Sequence, residues 1–427
     1  MDDFPTVAET EQWMGLRDRT RSLVGTLSFL AQWLCYRLVE RLQFWERDDS
    51  LWVFGARGGE AFADNAKYLY LHVAAQHADI RPVWLSKNRE VVRELQEEGY
   101  EAYYCYSPSG LLLNLRAGVV FLTQGHRDLT MPCCAGALTV LLWHGVPLKK
   151  ISWDAGFAEE PTVVQRAHAD MAAEFDVLTV PGGASTRVFE SGLRIDRERM
   201  VATGYPRNDA LFDSIPGEAV GTDTDSLANV ERLSADHPVL FYLPTFREWD
   251  GGSVAAQLDF AALDDLLERR DAYLVLKMHP REPLPVDAAD FSRVVVLPEH
   301  TDVYPFLRHA DALVTDYSSV ALDYLLLDRP LVFYPFDLDR YREKRGLYFD
   351  YDEVTPGPVA RNFEDLLVAL DGALSDLDAP GEFASERRAV RERLLDDDSP
   401  GLDDERSATG RSAAVYDLVQ RHLSNAR

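Results

Sequence analysis

Five short stretches of the sequence carry residue types suited to a phosphorylated substrate. In ALVTDYSSVALDYLLLDRPLVFY an apolar run, Ala312–Thr315, ends at Asp316, and Tyr317, Ser318 and Ser319 turn into a predicted helix over Val320–Leu327. Unpaired N–H groups at a helix start, with two hydroxyls beside them, suit a diphosphate; serines there can equally be plain N-caps. In LLWHGVPLKK a run over Leu138–Trp143 ends at His144, Gly145 and Pro147 shape the turn, and Lys149 and Lys150 follow. In YLVLKMHP, Lys277 lies in a run that ends at Met278–His279–Pro280. A histidine at a strand's carboxyl end beside lysine is placed for proton transfer near phosphate. A lone histidine is commonly structural, but here the pattern occurs twice. Arg207 in TGYPRNDALF and Arg247 in YLPTFRE each follow an apolar run, and arginine makes planar bidentate contacts with phosphate oxygens. The competing role is an arginine paired with an acid to hold two domains together. No HExxH, EF-hand or Walker A pattern occurs, so neither a protein-bound metal nor a cofactor is expected.

These residues need elements to position them. From residue 51 onward, short β-rich runs alternate with helical stretches: 51–57, 81–86, 101–106, 118–125, 137–145, 175–180 and 200–204. Most are continuous apolar runs, as expected of parallel strands buried on both faces. Residues 213–237 turn polar and mark a boundary, with a short helix near Leu227–Leu233. A second series follows at 238–245, 272–280, 293–299, 311–316 and 330–336, and the chain beyond 360 reads helical and acidic, with the loop DDDSPGLDDE before a last helix. The pattern predicts an α/β protein with two doubly wound domains facing across a cleft. Ligands bind such sheets at the carboxyl ends of the strands. The predicted division is 1–48 (N-terminal helical, candidate membrane-interfacial), 49–215 (acceptor domain) and 216–427 (nucleotide-donor domain with terminal helices).

Composition narrows the function classes. With 427 residues, 46% of them hydrophobic, the chain can bury sizeable cores, so wholesale disorder is excluded. A net charge of −27 argues against nucleic acid as a partner. Only six basic residues are lysine; this acidic, Lys-poor, Arg-rich balance fits a surface working at high salt, where screening is short-ranged. Four cysteines without a CxxC pair make neither a disulfide framework nor a zinc site, and Cys133–Cys134 reads as buried packing. The polar, acidic first twenty residues show no signal peptide, so a cytoplasmic location is expected. Residues 21–45 place Leu27, Leu30, Leu34, Leu38, Leu42 and Trp45 near helical spacing, with Arg37, Glu40 and Arg41 between them. The apolar run is too short to span a bilayer; it fits an amphipathic helix at a membrane interface or one packed on the first domain.

Taken together, GARGGEAFADNAKYLY, WHGVPLKK, GYPRND, YLPTFRE, LKMHP and the long TDYSS segment resemble the CDP-glycerol glycerophosphotransferase family, whose enzymes build glycerol-phosphate teichoic acid polymers; the resemblance covers roughly residues 51–360. It implies a GT-B fold, a CDP-alcohol donor in the cleft, and an N-terminal segment that approaches the membrane's inner face. By the resemblance, the family's WHG and MHP histidines fall on His144 and His279, the PTxR arginine on Arg247, and the TDYSS serines on Ser318 and Ser319. Asp316 and Asp323 match acidic positions of the same motif. The tryptophan of the usual PTWR form is Phe246 here. The family's terminal DG-x-AS-x-R pattern has only DERSATGRSA as counterpart, with Arg411 as the candidate nucleotide contact.

The expected reaction is transfer of a polyol phosphate from CDP-glycerol or another CDP-polyol to a hydroxyl of a lipid-linked or polymeric acceptor, releasing CMP. His144 is the expected general base. His279 and Lys277 are expected to neutralise the diphosphate, Asp316, Ser318, Ser319 and Lys149 to belong to the donor and phosphate site, and Arg247 and Arg207 to clamp donor or acceptor phosphate in place of a metal. Two other functions fit the same fold: a GT-B glycosyltransferase using a nucleotide-sugar, and a non-catalytic membrane-associated assembly protein.

Overall fold

The continuous apolar runs form twelve parallel strands in two sheets among the described residues of the computed structural model, which are 7–43, 45–247, 249, 253–279, 282, 290–377, 381–395 and 410–425, with side chains of the first helix described from Val24 onward. The first sheet contains β1 (Asp48–Phe54), β2 (Arg81–Ser86), β3 (Ala102–Tyr104), β4 (Ala117–Leu122), β5 (Leu138–Leu141), β6 (Val177–Val180) and β7 (Met200–Ala202). Its order is β3-β2-β1-β4-β5-β6-β7. The second contains β8 (Val239–Tyr242), β9 (Tyr273–Leu276), β10 (Val294–Val296), β11 (Ala312–Thr315) and β12 (Leu331–Phe333), in the order β10-β9-β8-β11-β12. Strand order reverses between β1 and β4 in one sheet and between β8 and β11 in the other. In open parallel sheets, such reversal points leave a crevice at the carboxyl ends where ligands bind.

Both faces of each sheet are covered, which is why the strands read as unbroken apolar runs. Trp52 and Phe54 of β1 are fully buried, and Phe54 stacks on Phe121 of β4 at 4.5 Å between ring centres. Burial of each such side chain contributes about 1.5–3 kcal/mol. Several runs outlast their strands: the ladders stop at Leu141 and Leu276, before His144 and Lys277. The chain there leaves the sheet and turns into the cleft.

Two features differ from the sequence reading. The helix Arg411–Asn425 packs on the first domain: Val415, Leu418 and Val419 join the core around Trp52, and Tyr416 lies 5.4 Å from the Trp52 ring. Residues 411–425 therefore do not pack with the second domain, as the 216–427 division had it. The acidic loop 396–405 lies outside the described residues. The polar boundary, for its part, holds a full helix, Thr224–Asp236, capped by Asp223.

The N-terminal helix, Val7–Leu42, packs one side on the first domain. Phe29 and Tyr36 are buried against the first domain, where the Tyr36 hydroxyl and Arg37 donate to Glu174 at 3.0 and 2.7 Å. Val24, Leu27, Leu34, Leu38 and Leu42 lie on the outer side, each more than half exposed. No helix among the described residues is long and apolar enough to cross a membrane.

Candidate active site

A cleft of about 1060 Å³ lies between the carboxyl ends of the two sheets. On its first-domain wall, the turn after β5 presents His144. The backbone there is unusual: Trp143 has φ 55° and Gly145 φ 125°. The glycine is required, since a Cβ would lie 2.6 Å from Ser319 Oγ and 2.7 Å from an Arg207 nitrogen. This close approach brings the His144 turn against the serine turn of the second domain. His144 Nδ1 lies 3.0 Å from the carbonyl oxygen of Thr123. A carbonyl only accepts, so Nδ1 carries the proton and Nε2 keeps its lone pair. Burial lowers the imidazole's pKa below the ordinary value, and the nearby Asp64 carboxylate only partly offsets this. The ring is thus neutral at pH 7, in the tautomer a general base needs.

The second-domain wall supplies Lys277, His279, Ser318 and Ser319. The Lys277 ammonium donates to the Glu299 carbonyl at 3.0 Å, and burial, then the Arg57 guanidinium, lower its pKa. His279 stacks on Phe246 at 4.7 Å, so the residue in place of the family's tryptophan still supplies an aromatic plate. The helix after the serines is shorter than expected: Val320–Tyr324 is α-helical and Leu325–Leu327 continues as a 3-10 turn. Ser318 Oγ accepts from the Val320 N–H at 3.4 Å, a capping contact within the turn that faces the cleft.

The two arginines are placed differently from each other: Arg207 is among the residues lining the cleft and Arg247 is not. Arg207 is buried and donates to Asp64 Oδ1 at 2.6 Å, Asp323 Oδ2 at 2.6 Å and the His144 carbonyl at 2.8 Å. Tyr304 adds a hydroxyl bond to Asp323 at 2.6 Å. Asp64 begins a first-domain helix and Asp323 sits in the second domain, so Arg207 ties the domains together beside the His144 turn. Arg247 is also buried; it pairs with Asp316 at 2.5 Å and holds Asp337 bidentately at 3.1 and 2.9 Å. Asp316 in turn accepts from the Thr245 N–H at 2.9 Å. Arg247 and Asp316 therefore shape the second-domain loops from behind and do not line the cleft. Lys149 also stands off the cleft, on a segment that bridges Leu347 across the domain boundary. Arg411 opens the last helix: its N–H donates to Asp209 at 2.8 Å, and its side chain lies over Phe212. It too is outside the cleft lining.

Sequence reasoning passed over Arg57, Asp64 and Asp128. Arg57 follows β1 at the reversal point and lines the cleft, its side chain 55% exposed and one nitrogen 3.4 Å from Asp64. Asp64 is buried; burial alone would raise its pKa, but Arg207 and Arg57 hold it below the ordinary carboxylate range. Asp128 accepts from the backbone N–H groups of Gly58, Thr123 and Gln124 at 2.6, 2.7 and 2.7 Å. The one available signal was the glycine-rich loop in GARGGE at a strand's end. Among the described residues, seven carboxylates line the cleft against three permanent cations. The basic character is local, at Arg57, Lys277 and the histidines.

Comparison with known proteins bears on this arrangement. The family model described as CDP-glycerol:poly(glycerophosphate) glycerophosphotransferase matches residues 36–399. A teichoic acid glycerol-phosphate transferase of Staphylococcus aureus is 30% identical over 351 residues, covering 78% of this chain and 85% of that protein. A teichoic acid poly(glycerol phosphate) polymerase of Bacillus subtilis is 28% identical over 334 residues, covering 74% of this chain and 43% of that protein. The chain likewise spans only 43% of the corresponding Staphylococcus epidermidis polymerase. Among solved structures, the wall teichoic acid polymerase TagF superposes with a TM-score of 0.71 at 23% identity, over 96% of this chain and 98% of that one. That likeness establishes the GT-B-like fold.

Proposed function

Because the chain belongs to the CDP-glycerol:poly(glycerophosphate) glycerophosphotransferase family, we propose that it transfers a polyol phosphate, glycerol phosphate in the first instance, from a CDP-linked donor to a hydroxyl of a lipid-linked or polymeric acceptor. The acceptor oxygen attacks the phosphorus that bears the polyol. The bond from that phosphorus to the bridging oxygen breaks, its electron pair leaves with CMP, and a phosphodiester forms. His144 Nε2 takes the acceptor proton. Such transfer depends on positioning and charge stabilisation more than on covalent chemistry. Lys277, His279 and the Ser318–Ser319 turn hold the diphosphate on the donor wall. Arg207, Arg247 and Asp316 act at one remove, by holding the turns that carry these groups.

The observation that carries this reading is the meeting of the two turns. A neutral imidazole with its lone pair on Nε2 stands on one wall, and the serine turn from the other domain packs against the adjacent glycine. A nucleotide-sugar transferase would share the fold, so donor identity is the discriminating test. Calorimetric titration with CDP-glycerol, CDP-ribitol, UDP-glucose and GDP-mannose should show binding of a CDP-polyol alone. Binding of a nucleotide-sugar without a CDP-polyol would overturn the proposal.

The same reading places the protein at the cytoplasmic face of the membrane, where a lipid-linked acceptor is presented. The leucine-rich outer side of the helix Val7–Leu42, with the exposed Arg41 alongside, supports an interfacial position. Flotation with lipid vesicles, lost on Leu34→Glu/Leu38→Glu substitution, is the expected result.

A further inference from the structure

One cation in the cleft has no role in the reaction just described. Arg57 stands at the carboxyl end of β1, at the point where strand order reverses in the first sheet. Its backbone is left-handed at φ 50°, followed by Gly58 at 70° and Gly59 at 89°. An arginine in that region is strained, and such strain persists only where the surroundings fix it. The fixing contacts are explicit. The Arg57 N–H donates to Thr123 Oγ1 at 3.2 Å, and the Gly58 N–H donates to Asp128 Oδ1 at 2.6 Å. A Cβ on Gly59 would lie 2.9 Å from both the Asp128 carbonyl and Lys87. The other Asp128 oxygen accepts from the Thr123 N–H, and the Thr123 carbonyl accepts the His144 Nδ1–H. A single buried carboxylate thus sets the position of both the base and the arginine.

The guanidinium so placed is more than half exposed in the cleft, with one contact to a carboxylate that Arg207 already holds. Lys277 lines the same cleft from the other domain. Two like charges held toward one space suit an anion between them. Resting on the reaction proposed above, we infer that Arg57 contacts the non-bridging oxygens of the phosphoryl group being transferred, on the His144 side, with Lys277 opposite. Its contribution is to the transition state, where charge shifts onto those oxygens, rather than to nucleotide affinity.

The variant Arg57→Gly tests this cleanly, because glycine adopts the left-handed backbone without strain and only the side chain is lost. With CDP-glycerol as donor, kcat for CMP release should fall by about 100-fold or more, the usual loss on removing one transition-state donor. Affinity for CMP, which lacks the transferred group, should stay within about threefold, and added guanidinium should restore part of kcat. The melting temperature should not drop. Arg57→Lys, which keeps the charge without the planar fork, should fall in between, and it serves as the test if the glycine variant fails to fold. Retained kcat, a CMP affinity that falls in step with kcat, or no response to guanidinium in the folded variant would each overturn the inference. A wild-type protein that turns over no CDP-polyol would overturn the underlying reaction and this role with it. An active wild type with an equally active Arg57→Gly would overturn this role alone.

Discussion

Replacing Arg207 by alanine separates a domain tie from a phosphate clamp. The guanidinium sits between Asp64 and Asp323 at 2.6 Å from each, with side-chain exposures of 4%, 2% and 1%. Its removal leaves Asp323 buried without a counter-charge and Asp64 with only Arg57 at 3.4 Å, and the simplest relief is protonation of one. For a carboxyl of ordinary pKa this costs about 4 kcal/mol at pH 7 and about 1.5 kcal/mol at pH 5. The first figure agrees with the loss of about 3–5 kcal/mol typical of breaking a buried pair. Against a total stability of about 5–15 kcal/mol, it would be readily measured. The sign follows from linkage. Without Arg207 the folded-state pKa of Asp64 rises, so its protonation favours the folded variant as pH falls, and the defect shrinks. Urea denaturation of wild type and Arg207→Ala at both pH values, compared pairwise, measures the difference. Adding Asp323→Asn removes the repulsion and should recover most of the loss. A destabilisation below about 1 kcal/mol at pH 7, beside a large loss of CMP affinity, would refute the tie and restore the clamp.

Two further perturbations follow from the same geometry. His144→Gln keeps a group that can donate to the Thr123 carbonyl but has no basic nitrogen; kcat should fall by about 10²–10⁴-fold with CMP affinity unchanged. In the wild type, the lowered pKa of His144 puts the acid limb of the kcat profile below pH 6.5, and an acid limb above pH 7 would contradict the assignment. His126 is fully buried, stacks on Phe175 at 4.5 Å, and burial pushes its pKa down to about 3. A depressed histidine pKa gives stability that is present above pH 6.5 and lost as pH falls toward 3. At pH 5 the loss is about 2 kcal/mol, and His126→Phe should remove that part of the acid sensitivity in denaturation curves.

The fold was legible because both sheets are parallel and buried on both faces, so each strand announces itself as an apolar run between turn residues. The legibility ended at the strand tips. Leu142–Trp143 and Lys277–Met278 continue the apolar pattern but leave the ladder, because the chain there serves the cleft. The packing of Val415 and Val419 beside Trp52 joins residues more than 350 positions apart, and no local periodicity encodes it. For the site, the place of histidine and serine in the cleft could be read from position alone, since each lies just past the end of its own strand. Arginine could not. Arg207 and Arg247 look alike in sequence as strand-following arginines, yet both are neutralised by partners far along the chain: Asp64 and Asp323 for one, Asp316 and Asp337 for the other. Arg57, in contrast, reaches the cleft through a backbone conformation that a sequence does not display. The acidic balance of the whole chain extends into the cleft, which carries many of its own acids, most visibly Asp64 and Asp302, each matched to a particular cation.

The central claim is phosphoryl transfer from a CDP-polyol with His144 as base. Its most direct test is phosphorus NMR of the purified protein with CDP-glycerol and a lipid-linked glycerol phosphate acceptor, run beside His144→Gln. The account predicts CMP and a new phosphodiester signal appearing together in the wild type and nearly absent in the variant. Equal rates in the two proteins, or consumption of a nucleotide-sugar with no CMP from CDP-glycerol, would contradict it.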